Sequence, residues 1–235
     1  MSTTILKKLA VKYILAAMIS WIPFSSQLLR DEQGHWIHDA QGYYVKEDEE
    51  HARARYETMA NHIVDVAFDY TLPSVFSGSD GDIRTALLLA SIGSLEGGFH
   101  EWVWNGACNR KDWVGGGCDG GHAFSIFQIH VYDYMIKDDM LTQARYVDKE
   151  YRDEHMDEII KGKSLIEDPR LAVLVAYHII RNSMVTHRSL CAYSGESCLG
   201  RHPKADARLE RAKTYLRDHP FVIPSADERE LMEMD

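Results

Sequence analysis

Apolar and polar positions alternate along this chain with mostly helical periods, and they mark out about five helices with loops between them. The first apolar run, Tyr13 to Phe24, follows Lys7, Lys8 and Lys12. From Gln27 to Lys46 the chain turns polar and aromatic, a pattern that predicts a loop or short hairpin. The acids from Glu47 to Glu50 predict a helix start, where negative charge meets the positive end of the helix dipole. Tyr56, Met59, Ile63, Val66 and Tyr70 continue that helix, and Pro73 with the SGSDGD stretch ends it. Asp80 or Asp82 is placed to cap the next helix. That helix carries Ile83, Leu87, Leu88, Leu89, Ala90, Ile92 and Leu95, apolar nearly all round, so it belongs inside a core. It ends in Glu96 followed by Gly97-Gly98, the residue type that accepts the positive φ of a helix stop. Residues 131–162 carry eight acids between Asp138 and Glu158 and predict a solvated helical insertion. Asp168-Pro169 reads as N-cap and first helical residue of a second buried helix, Leu171 to Met184. Ala205, Leu209, Ala212 and Leu216 share one face of a last amphipathic helix. The chain reads as free of internal repeats. The fold class expected is mainly α, a bundle around the buried helix that ends in Glu96, with a small loop/β region. Residues 1–46 read as a hydrophobic segment and linker, 47–220 as one domain and 221–235 as an acidic tail.

Composition narrows the partners. The 36 acids outnumber the 26 Lys and Arg, for a formal charge of −10. No basic cluster appears, so nucleic acid is not expected as a partner. The four cysteines form two close pairs in sequence, Cys108 with Cys118 and Cys191 with Cys198. Three connectivities are open to them. Local disulfides are expected, which places the protein in an oxidising, extracytoplasmic setting. A zinc site built on Cys108, Cys118, His122 and His130 stays open as the alternative. The N-terminal run has the layout of a signal peptide, but it lacks a clean small-residue exit. An uncleaved amphipathic or anchoring helix touching a membrane is the equal alternative, since the run is short for a span.

Glu96 is the candidate for chemistry. The C-terminal end of a helix carries partial negative charge, which disfavours a second negative charge there. Burial against apolar side chains disfavours ionisation as well. Both effects favour the protonated form that a general acid needs. The plain alternative is a Glu on an exposed last turn, titrating normally. Trp102, Trp104 and Trp113, in the loop that follows, are either stacking faces for a ligand or packing residues of that loop.

Taken in order, the buried helix ending in Glu96, the glycine-rich loop, the segment CDGGHAFSIFQIH, a second buried helix and the loop CAYSGESC resemble the lysozyme-like superfamily. The resemblance is to goose-type lysozymes and soluble lytic transglycosylases, over roughly residues 56–216, with phage or prophage lysozyme-like proteins as the nearest kind. It implies that Glu96 is the catalytic acid. In the goose-type pattern G-D-x-G-x-x-F-G-L-M-Q-x-D, Asp119 falls on the first aspartate and His130 stands at the second. Phe124, Gln128 and the backbone of Ser125, Ile126 and Phe127 would line the sugar groove. Tyr193 matches the tyrosine of the transglycosylase A-Y-N motif. Gly97 replaces a serine, Ser125 a glycine, Phe127 a methionine and Ser194 an asparagine of the family pattern.

The resemblance implies a lysozyme-like α+β fold and a muramidase that cuts the β-1,4 bond between N-acetylmuramic acid and N-acetylglucosamine in bacterial peptidoglycan. No cofactor and no metal are implied. Inverting hydrolysis needs a second carboxylate to activate water, a role open to Asp119. Transglycosylation needs only the acid, because the muramyl C6 hydroxyl attacks internally. The other expectation is a glycan-binding or structural virion protein that keeps the fold without turnover, with virion components as partners. Secretion, the periplasm or the virion is the expected location.

Overall fold

The computed structural model describes residues 3–130, 162–191, 193–194, 198–199 and 202–223. The charged stretch at 131–161 and the acidic tail beyond residue 223 lie outside them. The described chain is mainly helical, with one small antiparallel sheet. The long helices are α1 (Thr3–Trp21), α2 (Glu49–Ala67) and α3 (Gly81–Glu96). Short turns follow, α4 (Glu101–Trp104) and α5 (Cys118–Gly121), and then the hairpin of β1 (Ala123–Phe124) and β2 (Ile129–His130). Beyond residue 161 come α6 (Gly162–Glu167), α7 (Pro169–His187) and α8 (Pro203–Asp218).

Helix α3 is the centre, as its pattern predicts. Ile83 and every residue from Thr85 to Ser94 are buried, and α1, α2, α7 and α8 all pack against it. The starts of α2 and α7 are set by carboxylates. Asp48 accepts from the Glu50 and His51 amides at 3.0 and 3.1 Å, and Asp168 accepts from the Leu171 amide at 3.0 Å with Pro169 next. At α3 the expected cap is not made. Asp80 holds the cap position, but its carboxylate faces Arg84 at 3.8 Å and accepts no backbone N–H. Tyr70 does not continue α2 and is 94% exposed. The Asp69 carboxylate accepts from the Thr71 amide and hydroxyl at 3.0 and 2.6 Å, a local turn that competes with the helix and ends it at Ala67.

The N-terminal run is a core element. Ala10, Ile14, Ala17 and Met18 of α1 are fully buried in the same apolar cluster as α2, α3 and α7. Lys7 pairs with Asp65 of α2 at 3.0 Å, and the Tyr13 hydroxyl donates to the His219 carbonyl at 2.5 Å. No helix among the described residues is long and apolar enough to cross a membrane.

Between α1 and α2 the structure corrects the expectation of no repeat. Leu29 to Trp36 and Ile37 to Tyr44 are two copies of one unit: an apolar residue, a basic or histidine residue, then D-x-Q-G and an aromatic or histidine pair. In each copy Asp31 or Asp39 accepts from two amides inside its turn, at 2.9 to 3.0 Å. Gly34 and Gly42 supply the positive φ that closes each turn, at 95° and 87°. Leu29, Ile37 and Val45 stand eight residues apart and bond in a ring. The Leu29 amide donates to Val45, Val45 to Ile37 and Ile37 to Leu29, at 2.9, 2.9 and 3.2 Å.

Candidate active site

The three segments singled out by the sequence meet at the C-terminal end of α3. A Cβ on Gly97 would stand 2.7 Å from both the Cα and the carbonyl oxygen of Ile126, so only glycine lets the hairpin lie against the residue after Glu96. That contact accounts for a glycine at position 97. Gly98 turns the chain at φ 58°, and Phe99 follows at φ 55°, buried. The strained Phe99 is tied down from outside, because Arg55 Nε donates to its carbonyl at 2.9 Å. Arg55 in turn forms a buried, two-pronged ion pair with Glu47, 2.6 Å at its Nη2.

The hairpin turn runs from Ser125 to Gln128. The Gln128 amide donates to the Ser125 carbonyl at 3.0 Å, and both residues stand in the left-handed region, at φ 62° and 50°. Ile126 and Phe127 are core side chains, so the sugar groove expected along this turn would meet them through backbone alone. Ser125 is buried too. The Gln128 amide group turns back to the Ser125 carbonyl at 3.0 Å. Tyr193 closes the third side: its hydroxyl donates to the Phe127 carbonyl at 2.5 Å. Burial pushes the Tyr193 phenol up, so it remains a donor through the physiological range.

Glu96 has a charged partner. Its carboxylate forms an ion pair with Arg208 of α8, with the two side chains 22% and 8% exposed. Burial lowers the affinity of the Arg208 guanidinium for its proton. The Arg211 guanidinium donates to the Ser94 hydroxyl at 2.7 Å, and the Ser91 hydroxyl donates to the Arg208 carbonyl at 2.8 Å. A polar seam thus runs from Ser91 to Glu96 inside the α3–α8 contact. An adjacent cation favours the ionised carboxylate, the opposite of what the helix end contributes. Sequence reasoning missed Arg208. Its signal was a charged residue on the same face as Ala205 and Ala212, which are buried with it.

Asp119 and His130 come together, with His130 Nε2 3.2 Å from an Asp119 carboxylate oxygen. Asp119 is 70% exposed and stands in the left-handed region at φ 47°. It lines a cavity of about 670 Å³ together with Phe124, Arg110, Lys111, Trp113 and His122. Phe124 also packs on Gly162, where no Cβ would fit.

Both local disulfides are formed, Cys108–Cys118 and Cys191–Cys198. With their thiols joined, Cys108 and Cys118 are not available to the zinc arrangement with His122 and His130, and that alternative falls. The same holds for His187, which lies near Cys191 and Cys198. Trp102 and Trp113 stack on each other with centroids 5.7 Å apart, and Arg30 lies over both. Trp102 is therefore a packing residue of the loop, whereas Trp113 packs and also faces the cavity.

Comparison with known proteins finds no matching family model, no matching curated protein and no matching solved structure.

Proposed function

We propose that this protein is a peptidoglycan-cleaving muramidase of the lysozyme-like kind, with Glu96 as its acid and a lytic transglycosylase reaction as its course. The observation that carries the reading is the meeting of three segments, the end of α3, the Ser125–Gln128 turn and the Tyr193 loop, around Gly97 and the Phe127 carbonyl. Glu96 gives its proton to the glycosidic oxygen as the bond to the muramyl C1 breaks. The C6 hydroxyl of the same sugar then attacks C1 and returns its proton to the Glu96 carboxylate. A 1,6-anhydromuramyl end results, with no water consumed. Hydrolysis would instead draw on Asp119 and His130 to activate water on the far face. The cavity beside Asp119 offers room for a saccharide, with Phe124 and Trp113 as stacking faces.

The Glu96–Arg208 pair favours a second reading, a glycan-binding protein of the same build without turnover. Zymography on purified wall separates the two. A cleared band at the protein's position, insensitive to chelator, is expected for the enzyme, and a wall-retained protein with no clearing for the binder.

A further inference from the structure

We propose that the two-copy hairpin unit between α1 and α2 is a saccharide-stacking surface that takes the glycan strand where it leaves the cavity beside Asp119. This rests on the muramidase reading for the ligand's class, and the aromatic arrangement carries the rest.

Tyr43 and Tyr44 are 73% and 54% exposed, although both are large rings. Water-exposed aromatic clusters on a well-ordered element mark contact surfaces. The unit that presents them is ordered by two carboxylate-bonded turns and the Leu29–Ile37–Val45 ring, so little conformational entropy is lost on binding. Two further rings of the unit gather around Tyr44. Tyr44 lies against His38 with centroids 4.7 Å apart, and its edge meets Trp36 at 5.9 Å.

The face leads to the cavity. Arg30 lies 3.7 Å over the Trp36 ring and 4.7 Å from that of Trp102, and Trp102 stacks on Trp113, which lines the cavity. Arg30 also donates to the Gly34 carbonyl at 2.8 Å and to the Gly115 carbonyl, while the Val114 amide donates to Gln33 at 2.8 Å. These bonds fasten the repeat to the loop whose Arg110, Lys111, Trp113, Gly116 and Gly117 form the cavity wall. A strand leaving the cavity past Trp113 is thus led on to Trp36 and Tyr44.

Chemistry selects a neutral sugar. Aromatic faces stack on the C–H faces of pyranose rings, and the exposed Gln33 and Gln41 amides suit hydroxyl and acetamido groups. Asp31, Glu32 and Asp39 lie along the same unit, in a chain of net charge −10, which opposes nucleic acid or an anionic lipid surface.

Binding is measured with the full chain carrying Glu96→Gln, so that turnover does not enter. Chitotetraose is the soluble probe, and purified sacculi are the polymer. Tyr43→Ala/Tyr44→Ala is expected to weaken both about tenfold, the effect of losing stacking worth some 1.4 kcal/mol. Tyr44→Phe, which keeps the ring, is expected to bind within about twofold of the parent. Unchanged affinity in the double variant would overturn the proposal, and so would failure of the parent chain to bind either probe. Self-association lost in the double variant with glycan binding intact would assign the face to a second copy instead. An absence of wall cleavage by the unsubstituted protein would count against the enzyme reading alone, because the readout here is binding.

Discussion

At the residue scale the central tension is between the two neighbours of Glu96. The C-terminal end of α3 disfavours its charge, and the Arg208 guanidinium favours it. In the reaction we propose, the glycosidic oxygen receives the Glu96 proton, so substrate would have to compete with Arg208 for the carboxylate. Removing the cation shifts that balance. Arg208→Met, similar in length and suited to a site that is nearly closed, is expected to raise the pKa of Glu96. The protonated form then persists to higher pH, and the alkaline limb of the pH–activity profile moves upward. A profile unmoved in Arg208→Met would contradict the proposed coupling between this pair and the activity. Little of this was legible in the sequence. Glu96 stood out because a helix end and two glycines mark it. Arg208 sits 112 residues further on and reads as one more charge on an amphipathic helix.

At the scale of elements, local chemistry wrote the parts that could be read. Asp168 and Pro169 start α7 where the pattern puts them, and Gly98 stops α3 with its positive φ. The hairpin turn is less relaxed. Ser125 holds a position where glycine is the unstrained residue, and only a 3.3 Å bond from the Phe127 amide to its hydroxyl offsets that. Ser125→Val is therefore expected to lower stability by about 1–2 kcal/mol, through a β-branched side chain at positive φ. Ser125→Gly is expected to stay within about 1 kcal/mol of the parent. Urea unfolding midpoints compare them, and equal stability of Val and Gly would contradict the strained turn. The eight-residue repeat escaped sequence reading for a physical reason. Its apolar positions, Leu29, Ile37 and Val45, are single residues between polar turns, so neither a strand nor a helix period shows. The signal was the recurrence of D-x-Q-G at Asp31 and Asp39.

For the molecule as a whole, the apolar N-terminus contributes to the core rather than standing apart from it. Ala10, Ile14, Ala17 and Met18 recur at helical spacing, a pattern as fitting for a core helix as for a targeting segment, and in the structure all four are buried in the core cluster. Ile14→Ala removes a fully buried side chain and is expected to cost about 2–5 kcal/mol. A loss below about 0.5 kcal/mol in urea unfolding would place α1 outside the cooperative core. The two disulfides were legible because each joins cysteines close in sequence, and they suit an oxidising, extracytoplasmic setting.

The most direct test of the account is the chemistry of the cut ends. Purified wall digested by the full chain is expected to release fragments with 1,6-anhydromuramyl ends, lighter by one water than hydrolysed ends in mass spectra. Glu96→Gln is expected to lower their release by at least about a hundredfold in a chain that still folds, with its unfolding midpoint lowered by the loss of the charge that faces Arg208. Undiminished release from the folded Glu96→Gln protein would contradict the account by removing Glu96 from the reaction.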